Sequence, residues 1–140
     1  MNSSDQATNV LLAKTLASVA TLIKNQFPSA SVDFSPWRDD PCTKLWHEED
    51  SLDLSFHFPG WIPSYQCRSI LIQLQVVKDH SNDLPRLLGV IMRGLTFEGE
   101  RWKLATVGDW PITGSHLPQT VVMDQLREIC RNLFILFPSH

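Results

Sequence analysis

The sequence predicts an α+β domain, a five-stranded antiparallel meander packed by an N-terminal and a C-terminal helix. Three observations predict it. Residues 69–77 (Ser-Ile-Leu-Ile-Gln-Leu-Gln-Val-Val) alternate strictly, with Ile70, Ile72, Leu74 and Val76 on one face and Leu71, Gln73, Gln75 and Val77 on the other. Alternation of β-branched and polar residues fits a pleated strand and would scatter around a helix axis. A second alternating run sets Leu52, Leu54, Phe56 and Phe58 against Ser51, Asp53, Ser55 and His57. Finally, apolar stripes at steps of three and four residues bracket the strands at both ends of the chain.

The first stripe, Leu12, Leu16, Val19, Ile23 and Phe27, predicts a helix to about Asn25. Residues 1–6 read as frayed, Ser3 and Gln6 have capping-box spacing, and Pro28 stops the helix. Ala30, Val32 and Phe34 make a short strand that ends at Pro36. Residues 36–41 are a loop, and 42–50 admit two readings, a strand beginning at Leu45 and Trp46 or the solvated turn His47-Glu48-Glu49-Asp50. After the 51–58 strand, Pro59-Gly60-Trp61-Ile62-Pro63 is expected to turn the chain into the 69–77 strand.

Residues 84–97 admit two readings. Leu84, Leu87, Leu88, Ile91, Met92 and Leu95 match a helical template with Asp83 as N-cap, so 84–94 form a third helix in the alternative reading. Gly89 and Gly94 would each cost that helix about 1 kcal/mol. The favoured reading is a hairpin of strands 86–98 and 101–110 around Gly99-Glu100, a pair suited to a type II′ turn. That register pairs Phe97 with Trp102, Leu95 with Leu104 and Met92 with Val107, and sets Trp110 over Gly89. Pro118 opens the last helix, whose stripe is Val122, Leu126, Ile129 and Leu133.

A chain of 140 residues, 43% apolar and 19% charged, fits one globular domain spanning residues 1–140. The net charge of −3 argues against a nucleic-acid partner, which calls for a basic face. Acidic residues gather in Asp39, Asp40, Glu48, Glu49, Asp50 and Asp53, a segment with room for a cation but without EF-hand spacing, so no metal site is assigned. The three cysteines (Cys42, Cys67, Cys130) show no CxxC and read as reduced thiols of a soluble cytoplasmic protein. No signal peptide and no apolar run long enough to span a membrane are visible.

No catalytic residues and no cofactor are assigned. Asp53, Ser55 and His57 share a strand face, but the serine lies between the other two and Asp53 is about 13 Å from His57 along the strand. A triad needs histidine in the middle. HExxH, GxSxG and glycine-rich phosphate loops are absent. The reading leans away from an enzyme.

Five tryptophans are the most unusual feature, and Trp37, Trp61 and Trp110 sit in proline-bearing turns. Aromatic anchors of this kind suit an interface or a pocket, or else cap the ends of the core. The second sheet face, with His57, Leu71, Gln73, Gln75 and Val77, is half polar and half apolar, and the hairpin reading adds Val90, Met92 and Val107 to it. The expected function is a non-enzymatic protein-binding, assembly or adaptor role, with self-association into a homodimer through that open face as one form. The alternative is a small apolar-ligand binder whose sheet curls over a pocket, with His57 or Arg93 pointing inward. The order of elements is loosely similar to small α+β chaperone-like or adaptor domains. That similarity is one of fold alone.

Overall fold

A computed structural model describes residues 10–36, 51–77 and 84–138. The predicted capping box and frayed terminus, Trp37 and the acidic loop fall outside the described residues. Among the described residues the elements run α1 (Val10–Gln26), β1 (Ser31–Asp33), β2 (Ser51–Ile62), β3 (Cys67–Val77), β4 (Arg86–Thr96), β5 (Gly99–Ala105), β6 (Ile112–Gly114) and α2 (Thr120–Leu136). The strands form one open antiparallel sheet in the order β1-β2-β3-β4-β5-β6. The class is α+β as predicted, with six strands in place of five.

Both helical stripes are buried. Leu12, Leu16, Val19 and Ile23 of α1, and Val122, Leu126, Ile129 and Leu133 of α2, join Leu54, Phe56, Ile70, Ile72 and Leu74 in one core. The helices also meet each other where the Gln125 side-chain amide donates to the Gln26 carbonyl at 3.2 Å.

Residues 86–96 are strand, so the third-helix alternative does not form. The register differs from the expected one. Phe97 and Glu98 are the turn residues, Thr96 faces Gly99, and a bulge follows, after which Gly94 faces Trp102 and Met92 faces Leu104. The physical reason is the glycine pair. Gly99 has φ +120°, which suits it to the position after the turn. Gly94 has no side chain, and a Cβ there would collide with the Trp102 indole. Bulky cover over a strand glycine does occur, with Trp102 on Gly94 and not Trp110 on Gly89.

This register corrects a face assignment. Met92 pairs with Ile72, so Met92 and Val90 point to the helices and are 0% and 1% exposed. They belong to the core and not to the second face. A further correction concerns residues 59–62, which continue β2, while residues 63–66 make the turn. Strand β1 pairs with residues 55–57, so among the described residues Pro59 lies on a stretch of β2 without a neighbour on that side. Strand β6, read from sequence as part of a loop, is a three-residue edge.

Candidate functional site

The meander brings the β2–β3 turn and the β4–β5 turn to the same end of the sheet. A cleft of about 350 Å³, open to solvent, lies there, lined by Trp61, Arg68, Thr96, Phe97, Glu98 and Arg101. Phe97 at the tip of its two-residue turn is 83% exposed, and Trp61 is 42% exposed.

The turn that bears the cleft is tied to the core by ring contacts and hydrogen bonds. Phe27, Phe56, Phe58 and Tyr65 form a continuous set of ring contacts with centroids 4.6 to 5.8 Å apart. They tie the end of α1 to β2 and to the 63–66 turn. The Trp102 indole N–H donates to the Tyr65 carbonyl at 2.9 Å, which joins that turn to β5. The Gln119 amide donates to the Ser64 carbonyl at 2.9 Å and brings in the start of α2.

Arg101 is the extra residue of the β5 bulge, since Glu100 faces Leu95 and Trp102 faces Gly94. Bulges re-aim side chains. The guanidinium carbon of Arg101 lies 5.6 Å from the Trp61 ring centroid, a cation–π arrangement. Its carbonyl accepts from the His116 amide at 3.2 Å and the Ser115 hydroxyl at 3.4 Å. Among the described residues the ion pairs are Arg93 with Glu100, Arg127 with Asp124 and Arg131 with Glu128. Neither Arg68 nor Arg101 has a carboxylate partner there.

A second polar set lies on the sheet face away from the helices. Asp53 and Gln73 are 0% exposed, Ser51 2%, Ser55 4% and Arg93 8%. The Ser51 hydroxyl donates to Asp53 Oδ1 at 2.6 Å. Arg93 Nη1 donates to Gln73 Oε1, and Arg93 Nε is 2.9 Å from Glu100 Oε1. Buried polar groups are tolerated when they are hydrogen-bonded to one another in this way.

The sequence-predicted residues are therefore dispersed. Trp61 lies in the cleft. Trp110 packs on Phe134 of α2 at 5.9 Å between centroids, and its carbonyl accepts from Arg127 Nε at 3.3 Å, so it caps the core. Leu71 and Gln73 are buried, Gln75 is half-buried and only Val77 is exposed, so these four do not make the expected open patch. His57 is exposed, with Nε2 3.0 Å from the Ser55 hydroxyl, while Asp53 bonds Ser51. Neither His57 nor Arg93 lines the cleft. Arg68, Phe97, Glu98 and Arg101 were missed. The one available signal was an aromatic at a hairpin tip, and the expected register hid it by pairing Phe97 with Trp102.

Chemistry at the described residues is limited. Burial pushes the Cys67 thiol from 9.0 up to about 12 against a weak opposing pull from Trp102. It pushes the Cys130 thiol up to about 12 against the nearby charge of Arg131. Thiols held protonated in this way are poor nucleophiles. Among the described residues no three of His, Cys, Asp and Glu gather where they would hold a metal. No described helix is long and apolar enough to cross a membrane.

Fold and cleft together define an α+β domain with an open sheet and an aromatic–arginine recess at one end. The chain belongs to a family described as a domain of unknown function, whose model matches residues 4–139. No curated protein and no solved structure matches the chain.

Proposed function

We propose that the protein is a non-enzymatic protein-binding domain that engages a partner at the Trp61–Phe97 end of its sheet. One observation carries this reading. Two large aromatics stand exposed on turns tied to the core by ring contacts and hydrogen bonds, beside two arginines without a carboxylate partner among the described residues. Tryptophan and arginine are the residues most enriched where binding energy concentrates, and a support that is already ordered lowers the cost of association. The buried thiols held protonated, and the His57–Ser55 contact without a carboxylate beside it among the described residues, support a binding role over a catalytic one. Free Cys67 and Cys130 support a reducing, cytoplasmic setting.

The cleft volume also matches the low end of small-ligand sites. Arg68 and Arg101 make it poorly suited to a purely apolar ligand.

The test is a peptide-display selection against the wild type and a Trp61→Ala/Phe97→Ala variant whose fold is checked by circular dichroism. The reading expects enriched peptides that bind the wild type and lose the variant. Peptides that bind both equally, or no enrichment at all, would overturn it. Sedimentation of both proteins over a range of concentrations decides whether a second copy of the chain is the partner.

A further inference from the structure

Resting on that reading, we propose that the partner segment is acidic, an aromatic or aliphatic side chain that enters the cleft flanked by carboxylates that meet Arg68 and Arg101. The charge distribution carries the assignment. The chain has a net charge of −3, with 15 acidic residues against 12 basic ones. Even so, these two guanidinium groups beside exposed aromatics have no carboxylate partner among the described residues, while Arg93, Arg127 and Arg131 have one. The Arg101 backbone is held by its carbonyl contacts to residues 115 and 116, and its guanidinium carbon lies 5.6 Å from the Trp61 ring centroid. Arg101 Nε is buried, so this guanidinium would meet a carboxylate through its terminal Nη groups, whose planar pair of donors matches the two carboxylate oxygens.

Glu98 lines the cleft as well, so the site carries one anion beside its two cations. A carboxylate of the partner is attracted by Arg68 and Arg101 and repelled by Glu98. Strand addition is a poor mode here, because Pro59 removes a donor from the stretch of β2 that β1 leaves uncovered. Recognition therefore rests on side chains. A single-stranded nucleic acid also pairs stacking with positive charge. Two cations offset by one anion, in a chain of net negative charge, fall short of the basic track such a partner needs.

The experiment is fluorescence anisotropy with labelled peptides of one length and one Phe anchor, flanked by Glu and Asp, by Gln and Asn, or by Lys, together with an oligothymidylate. The acidic peptide is expected to bind at least about tenfold tighter than the neutral one at low salt, with the advantage shrinking as salt screens it. Arg68→Gln and Arg101→Gln should each remove most of that advantage. Glu98→Gln, a change at an exposed turn position, should enlarge it, which gives a readout that loss of fold cannot imitate. Equal binding of acidic and neutral peptides, both abolished by Trp61→Ala/Phe97→Ala, would overturn the acidic partner and leave the binding domain standing. Tighter binding of the oligothymidylate would overturn it in favour of a nucleic acid. Peptide binding insensitive to Trp61 and Phe97 would sink both the inference and the reading beneath it.

Discussion

The two faces of the sheet are both buried in part, and by opposite means. The helix-covered face is hydrocarbon, with Leu54, Phe56, Ile70, Ile72, Leu74, Met92, Trp102 and Leu104 all at 0% exposure. It rejects charge, and the thiols of Cys67 and Cys130 in the same core are pushed up to about 12. The other face holds Asp53, Gln73 and Arg93 at 8% exposure or less, with Asp53 accepting from Ser51 while Arg93 donates to Gln73 and pairs with Glu100. The difference teaches that burial alone does not identify a core in this protein. One face is stabilised by area removed from water, the other by hydrogen bonds and an ion pair to its buried polar groups.

That contrast can be broken most severely on the helix side. Trp102→Ala removes the largest fully buried side chain and its hydrogen bond to Tyr65, and should cost about 3–5 kcal/mol in urea unfolding. Gly94→Ala should approach the same loss from the opposite direction, by collision with the indole. On the polar face, Arg93→Met keeps the volume but removes the Arg93 hydrogen bond to Gln73 and its ion pair with Glu100. The expected cost is about 2–3 kcal/mol, tempered because Glu100 is partly exposed, with a side-chain exposure of 35%. Leu54→Met on the helix face, a swap of similar volume, should cost less than about 1.5 kcal/mol. If the two methionine variants were equally stable, the distinction between the faces would fail.

A smaller effect follows from the thiols. Their folded-state values are raised, so in the unfolded chain they ionise from 9.0 upward while in the folded chain they stay protonated to about 12. The unfolded state then binds fewer protons, and stability falls as pH rises through that window. At pH 10 the loss should be roughly 1 kcal/mol per thiol, read as a drop in urea midpoint that Cys67→Ser/Cys130→Ser attenuates. The smallest effect belongs to the cleft. Phe97→Ala, at a position already 83% exposed, should change stability by no more than about 0.5 kcal/mol while reducing partner binding. A large loss of stability there would make Phe97 a structural residue.

Much of this fold was legible because two periodicities are local properties of the chain. Leu12, Leu16, Val19 and Ile23 lie on one side of a helix whatever they pack against, and Ile70, Ile72 and Leu74 lie on one side of a strand. The hairpin was less legible because β4 carries apolar residues in both parities. Leu87, Val90 and Met92 face the core, yet Leu88, Ile91 and Leu95 look equally suitable in sequence. Bulges at Leu88 and Arg101 each insert a residue and shift the alternation, and no periodic count detects them. The cleft was almost illegible. Trp61 was singled out for its proline-flanked setting, but Arg68, Phe97 and Arg101 become neighbours only when two turns arrive at the same end of the sheet.

The sequence by itself determined the class, the two covering helices and the core face of β2 and β3, because side-chain spacing along one element fixes which residues can share a surface. Only the tertiary structure decided the register of β4 on β5, the burial of Asp53, Gln73 and Arg93, and the meeting of Trp61 with Arg101. Each of these depends on contacts between residues distant in the chain. A glycine, a bulge or a proline tips such contacts by a few kcal/mol without leaving a periodic trace.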